Sequence, residues 1–278
     1  MILLAESGST KTSWIGISKN NITFETKGIN PYYQSESEIS ELLKPHFAHH
    51  LNAAVHQVYY YGTGITDVQK EQVVQRAVQN ALGYSVPVEA HSDVIAAARS
   101  LFGDKAGIAC ILGTGSNSCF WDGKKIDGQI PPLGFWLGDE GSGGYLGKSL
   151  VLSYLHEKMP TDIRSKFIEK YTALGRLDIL QKAYKDPKPN TYFASFATFC
   201  AEYREHPYIQ GLINANFEQF YDLYLARYPM LIACNLGFVG SIAYYFKENL
   251  EKVIYGHTQK TIHVIQRPID GLLKYHQE

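Results

Sequence analysis

Hydrophobic and polar positions along the chain fall into short β-type runs interleaved with amphipathic helical stretches. Residues 2–5, 12–18 and 22–26 read as three consecutive strands, with Asn20-Asn21 as the turn between the second and third. Together they predict an antiparallel meander whose first hairpin carries Glu6 to Lys11. Pro31 biases Asn30 away from helix, and Ser35 or Ser37 can cap a helix running to about residue 50. A buried strand is expected at 58–61, ending in Gly62-Thr63-Gly64, then a helix at 67–82 and a strand at 85–89. The alanine-rich stretch 94–98 predicts a helix with Ser92 and Asp93 at its start, where a carboxylate gains from the positive helix end.

The same strand pattern then returns. Residues 108–112, 116–122 and 125–129, with a turn at Asp122-Gly123, predict a second meander, and the residues around Gly113-Thr114-Gly115-Ser116 echo those around Gly8-Ser9-Thr10-Lys11. An offset of 107 places Gly8 on Gly115, Ser9 on Ser116 and Trp14 on Trp121. In each copy a β run enters a glycine turn whose N–H groups and hydroxyls can grip an anion, so each is a candidate phosphate clasp. The alternative for either copy alone is a plain Gly-Ser-Thr hairpin.

Glycines are too dense over 131–148 for a regular element, which predicts a loop that approaches a ligand closely and enters a helix near Gly141. Residues 150–228 read as helical. Tyr192, Phe196, Phe199 and Tyr203 share one helical face, as do Phe217, Tyr221, Tyr224 and Tyr228, which predicts core helices, with a homodimer surface as the alternative. A strand at 230–235, a helix opening over 236–243 and running to about 250, and a strand at 261–265 follow. Pro268 can occupy the first turn of a terminal helix that crosses back to the first half.

Composition adds limits rather than direction. A length of 278 residues favours two domains, and 45% apolar with 19% charged residues describes an ordinary globular protein. A formal charge of -1 gives no electrostatic reason to expect nucleic acid or an anionic membrane as partner. Glu6 interrupts the only apolar run at the N-terminus, no run approaches a membrane span, and the expected location is the cytoplasm. Cys110, Cys119, Cys200 and Cys234 lie in apolar contexts without a C-x-x-C pair, the pattern of reduced, buried thiols rather than a metal or cluster site. Neither a P-loop, a G-x-G-x-x-G fingerprint nor a G-x-S-x-G elbow is present, and His46, His49, His50 and His56 read as exposed helix histidines.

Glu6-x-Gly8-x-Thr10-Lys11, Gly113-Thr114-Gly115-Ser116-Asn117, Gly138-Asp139-Glu140-Gly141-Ser142 and Val239-Gly240-Ser241-Ile242-Ala243 together resemble the N-acetylglucosamine kinases grouped with the BadF/BadG/BcrA/BcrD-type ATPases, within the sugar kinase, Hsp70 and actin superfamily. The resemblance covers nearly the whole chain in order. It implies an α/β fold of two ribonuclease H-like (actin-like ATPase) domains, each with a mixed five-stranded sheet, around an interdomain cleft. Their bounds would be 1–105, completed by the helix at 268–278, and 106–267, with the helical insertion at about 150–228.

The implied activity is ATP-dependent phosphorylation of an amino sugar, N-acetylglucosamine to its 6-phosphate. By the same resemblance, Gly8, Ser9, Thr10 and Lys11 would contact the phosphates of ATP from one side and Gly113, Thr114, Gly115 and Ser116 from the other. Gly240 and Ser241 would lie against adenosine, and Glu6 would orient Mg²⁺ through water. Asn30, Asp93, Asn117 and Asp139 would bind the sugar, with Asp93 as general base in place of a mere helix cap. Pro131-Pro132-Leu133 stands where that branch can carry a Gly-Trp pair beside the sugar, a departure that bears on the acetamido pocket. A sugar- or nucleotide-binding sensor that keeps the fold without catalysis is the alternative from another functional class.

Overall fold

A computed structural model of the chain describes residues 1–8, 10–172 and 174–277, so Ser9 lies outside the described residues. Two compact units divide it, one comprising Met1–Asp104 with Arg267–Glu278, the other Lys105–Gln266.

The first unit opens with β1 (Ile2–Ser7), β2 (Lys11–Ile17) and β3 (Ile22–Lys27). After these come α1 (Glu36–His50), β4 (Gln57–Gly62), α2 (Val68–Leu82), β5 (Val88–Ser92) and α3 (Asp93–Phe102). Its sheet has the order β3-β2-β1-β4-β5, antiparallel through the meander and parallel from β1 to β4 to β5. Strand alternation sends Leu3, Ala5, Trp14, Val58 and Tyr60 to one face, packed with Ile39, Leu43 and Phe47 of α1 and Val74 and Val78 of α2. Trp14 anchors that layer, edge-on to Phe47 at 5.0 Å between ring centroids. Leu4, Ile15 and Tyr61 point to the other face. Ser35 caps α1 through a capping box with Glu38, and Asp67 caps α2 through the N–H of Lys70.

The second unit repeats the plan with β6 (Gly107–Leu112), β7 (Ser116–Trp121) and β8 (Ile126–Gly128). A helical layer follows: α4 (Gly134–Leu137), α5 (Gly143–Leu155), α6 (Thr161–Lys170), α7 (Arg176–Lys185), α8 (Pro189–Ser195), α9 (Ala197–Glu202) and α10 (Pro207–Leu223). β9 (Asn235–Val239), α11 (Ser241–Tyr245), α12 (Lys247–Thr258) and β10 (His263–Ile265) complete it. The sheet order is β10-β9-β6-β7-β8 with the same parallel and antiparallel pairings as the first. Two mixed five-stranded sheets of one topology make this an α/β protein of the actin-like ATPase fold. The last helix, α13 (Pro268–Tyr275), begins with proline in its first turn and packs on α3 and β1 of the first unit. Among the described residues no helix is long and apolar enough to cross a membrane.

The structure corrects several local expectations. The duplication is real in topology, but the offset of 107 is not the structural correspondence. The last pair of the first hairpin is Ser7 with Thr12 and that of the second is Leu112 with Ser116, shifts of 105 and 104. The first turn thus holds one residue more, and Trp14, opposite Ala5, is not the counterpart of Trp121, opposite Gly107.

The strand expected at 85–89 begins instead at Val88, after Pro87, whose carbonyl accepts from Val58 N–H at 2.9 Å but which has no N–H for the ladder. Residues 230–234 form a turn rather than a strand. Ala233 and Cys234 donate back to the Met230 carbonyl, and the Lys260 ammonium donates to the carbonyls of Leu231 and Cys234. The strand starts only at Asn235.

The aromatic face at 192–203 is split between α8 and α9, yet Phe196 and Phe199 are buried in the second unit's core, as are Phe217, Tyr224 and Tyr228. Cys110, Cys119 and Cys200 are buried, whereas Cys234 is half-buried. His56 stands outside α1, and His50 is stacked on Phe24 at 4.6 Å rather than fully exposed.

Candidate functional site

In the first unit the candidate residues gather at the ends of β1, β4 and β5, where parallel strands deliver their C-terminal residues to one edge. Ser7 organises this edge. Its buried hydroxyl lies 2.7 Å from the Thr12 hydroxyl and accepts from Ile29 N–H at 3.0 Å, while its carbonyl accepts from Thr63 N–H at 3.2 Å. The turn between β1 and β2 is closed by Gly8 N–H on the Lys11 carbonyl at 3.0 Å, so that amide is already engaged. Lys11 forms an exposed ion pair with Glu25 across β2 and β3.

Glu6 and Asp93 are electrostatic neighbours. Burial, and then the negative charge of Asp93, push the Glu6 carboxyl up to about 7, against the weaker pull of Lys11 and Arg267. Asp93 is the first residue of α3, after Ser92, whose side chain makes no cap. Burial raises the Asp93 carboxyl above the ordinary carboxylate range, opposed by hydrogen bonds from Val94 N–H, the Thr63 hydroxyl and its own N–H. Asn30 meets the next residue after Thr63. Its Oδ1 accepts from Tyr32 N–H at 2.9 Å and rests so close to Gly64 that a Cβ there would stand 1.9 Å away. Asp93 and Asn30 thus touch the successive residues Thr63 and Gly64.

In the second unit the turn after β6 is docked on the start of α5. Gly113 N–H closes on the Gly115 carbonyl at 3.0 Å, and the carbonyls of Gly113 and Thr114 accept from Gly143 N–H at 2.8 Å and Gly144 N–H at 3.0 Å. Ser116 N–H donates to Asp139 Oδ1 at 3.3 Å, and the Ser116 hydroxyl is buried without a hydrogen-bond partner among the described residues. Asp139 is buried, in a left-handed conformation with φ of 64°, and burial raises its carboxyl, with Glu140 adding to the rise. Asn216 secures the 138–142 loop, accepting from Gly141 N–H at 2.9 Å and donating to the Ser142 carbonyl at 3.4 Å. Asn117 Oδ1 accepts from Ser118 N–H at 2.9 Å and from Gln129 at 3.1 Å. Gly240 and Ser241 form the junction of β9 and α11, where Gly240 N–H donates to the Ile265 carbonyl at 3.2 Å.

Each unit therefore brings its own candidates together: Glu6, Asn30 and Asp93 in the first, and Gly113, Thr114, Gly115, Ser116, Asn117 and Asp139 in the second. Thr63, Ser7 and Asn216 are supporting residues that the sequence reading did not single out. For Thr63 a signal existed, a hydroxyl between two glycines directly after a buried strand. Asn216 carried none, because it lies 75 residues from the glycine it holds. No group of three or more His, Cys, Asp or Glu side chains arranged to hold a metal occurs among the described residues.

No family model matches the sequence. A Porphyromonas gingivalis protein described as a "putative N-acetylglucosamine kinase" is 37% identical and superposes with a TM-score of 0.93, covering 99% of this chain and 98% of that one. A second crystal structure so described, from Chromobacterium violaceum, is 17% identical with a TM-score of 0.73 and coverage of 99% and 98%, a likeness of fold alone. The N-acetyl-D-glucosamine kinase of Dictyostelium discoideum is 29% identical over 137 residues. That match spans 46% of this chain and 43% of the relative, less than half of either.

Proposed function

Because the chain belongs to the N-acetylglucosamine kinase family, we propose that it transfers the γ-phosphoryl group of ATP to a hydroxyl of an amino sugar, N-acetylglucosamine at its 6-position, with Asp93 as general base. The observation that carries this reading is the setting of Asp93. It is a desolvated carboxylate at the start of a helix, oriented by the Thr63 hydroxyl, with Asn30 against the adjoining Gly64. Its raised pKa strengthens it as a base while the hydrogen bonds fix its direction.

The rest of the chain supports the parts that phosphoryl transfer requires. The buried, unpartnered Ser116 hydroxyl suits an acceptor oxygen of a phosphate, beside a turn whose carbonyls are already taken up by α5. Gly113, Thr114 and Gly115 with Ser116, and Gly8, Thr10 and Lys11 in the other unit, would hold phosphates, and Gly240 and Ser241 would lie against adenosine. Asn30, Asn117 and Asp139 would hydrogen-bond sugar hydroxyls.

Glu6 fits a hydrated Mg²⁺: it is a buried carboxyl whose pKa is raised by burial and by the neighbouring Asp93, a paired negative setting that a divalent cation would offset. When bound, Mg²⁺ would neutralise phosphate charge. In the transfer the sugar O–H breaks and its proton passes to Asp93. The freed oxygen bonds to the γ-phosphorus as the bond from that phosphorus to the β–γ bridging oxygen breaks and ADP leaves.

A coupled ADP-release assay over hexoses, N-acetylhexosamines and muramic-type sugars tests the reading, with N-acetylglucosamine expected to stimulate release most. Asp93→Asn should keep sugar binding and lower turnover by roughly 10²-fold or more. Absence of sugar-dependent ADP release, or full activity of the Asp93→Asn enzyme, would overturn the corresponding part.

A further inference from the structure

Two elements hold Asp93: its own helix α3, and the end of β4, through Thr63. A part-buried hydrogen-bonded chain joins those two elements. Tyr61 of β4, two residues before Thr63, has its hydroxyl 2.6 Å from Nη1 of Arg99, on α3 six residues after Asp93. The same hydroxyl lies 2.8 Å from Nε2 of His276, which follows α13. Because the guanidinium can only donate, the Tyr61 oxygen accepts from Arg99 and its proton is directed to His276. The His276 ring is stacked on Tyr59 at 3.9 Å, and the Arg99 guanidinium lies over the Tyr275 ring at 5.2 Å.

Alongside this chain, α13 presses on α3 closely enough that a Cβ on Gly271 would stand 2.5 Å from the Ser100 carbonyl oxygen. Ile269 and Leu272 fill the space against Ala96 and Tyr61. None of these residues belongs to the ATP or sugar sets proposed above, and α13 enters the first unit from the far end of the chain.

We propose that α13 is the brace that positions Asp93, with His276 as the positioning residue that locks α3 to β4 through Tyr61 and Arg99. The inference rests on the kinase reading for its effect on turnover, but the bracing itself has a separate readout. Burial and the charges of Arg99 and His91 keep His276 neutral at ordinary pH, which suits an acceptor for the Tyr61 proton.

The test uses the full-length protein with Tyr61→Phe, His276→Leu and His276→Gln. Amide hydrogen exchange over residues 93–97 of α3 is read by mass spectrometry, and kcat and KM by ADP release. Tyr61→Phe and His276→Leu should speed exchange in that segment about tenfold and lower kcat about tenfold while leaving the KM for ATP and for sugar within about threefold, as a displaced but intact base implies. His276→Gln, which keeps an acceptor for the Tyr61 proton, should recover most of both effects.

Unchanged exchange at 93–97 in Tyr61→Phe and His276→Leu would overturn the brace. So would faster exchange with full kcat, which would make α13 mere packing. Should His276→Leu fail to fold, Tyr61→Phe decides, since it removes only the hydroxyl. If no sugar elicits ADP release from the parent protein, the kinase reading fails, and the exchange readout alone then accepts or rejects the bracing.

Discussion

Gly240→Ala is a sharp test of the β9–α11 junction. Gly240 has φ of 117° and ψ of 163°, a region open to glycine and strained for any L side chain. That strain costs on the order of 1–3 kcal/mol. A Cβ at this position would stand 2.4 Å from the carbonyl oxygen of Leu112 and 2.8 Å from its carbon, atoms of a central strand that cannot rotate out of the way. Displacing that strand end adds about 1 kcal/mol or more, as overpacking does elsewhere, so the total is on the order of 2–4 kcal/mol.

For a unit the size of Lys105–Gln266, each kcal/mol lowers the thermal midpoint by about 2–4 °C, which makes the expected drop about 4–16 °C. Because Leu112 leads directly into the turn at 113–116, the shift should also raise the KM for ATP about tenfold. Gly113→Ala in the same turn is the control for stability alone: a Cβ there meets no heavy atom within 4 Å, and its cost in stability should stay within about 0.5 kcal/mol. Circular-dichroism melts and ADP-release kinetics on the parent and both variants decide the matter. A Gly240→Ala midpoint within about 1 °C of the parent would refute the close approach.

Three further outcomes follow from burial and hydrogen bonding. The folded-state pKa of Glu6, at about 7, lies above its ordinary 4.5, so the metal-free protein should lose stability as pH climbs from about 4.5 through about 7. Glu6→Gln should therefore be more stable than the parent at pH 8 without metal, by on the order of 1–3 kcal/mol in urea unfolding, and equal midpoints would contradict it. Asn216→Leu strands Gly141 N–H in a buried site, while the Ser142 carbonyl keeps its bond from Leu146 N–H, for an expected cost of about 1–3 kcal/mol by the same unfolding assay; a loss below ~0.5 kcal/mol would show the loop to be held by other contacts. His276 has its pKa lowered to about 4 by burial, then Arg99 and His91, with Glu89 acting on His91 from the opposite sign. Its contribution is intact above about pH 6.5 and should fade toward pH 4, by about 1–2 kcal/mol after screening of a partly exposed ring; His276→Gln should flatten that part of the pH–stability curve.

Much of the architecture was legible in the chain because it is written in local terms. The two meanders follow from strand-length apolar runs between turn residues. The helix starts follow from Ser35 and Asp67, and the start of α13 from Pro268, since cap chemistry depends on residues a few positions apart. The candidate residues likewise stand in short contiguous motifs, so their types could be read, though not their partners. Where local signals competed, the reading slipped. Residues 230–235 have the composition of a strand, but backbone turn bonds and the distant Lys260 ammonium claim that segment. The matching of Trp14 with Trp121 looked like register, but register is set by hydrogen bonding across each hairpin, and the turns differ by one residue.

Tertiary structure alone decided the rest, because it rests on contacts that no window of sequence contains. Only folding places Thr63 on Asp93, Asn216 on the 138–142 loop, and His276 on Tyr61 across 215 residues. The raised pKa values of Glu6 and Asp93 belong to the same class. A carboxyl's pKa is governed by the water it has lost and the charges brought near it, and both are properties of the packed chain rather than of the residue.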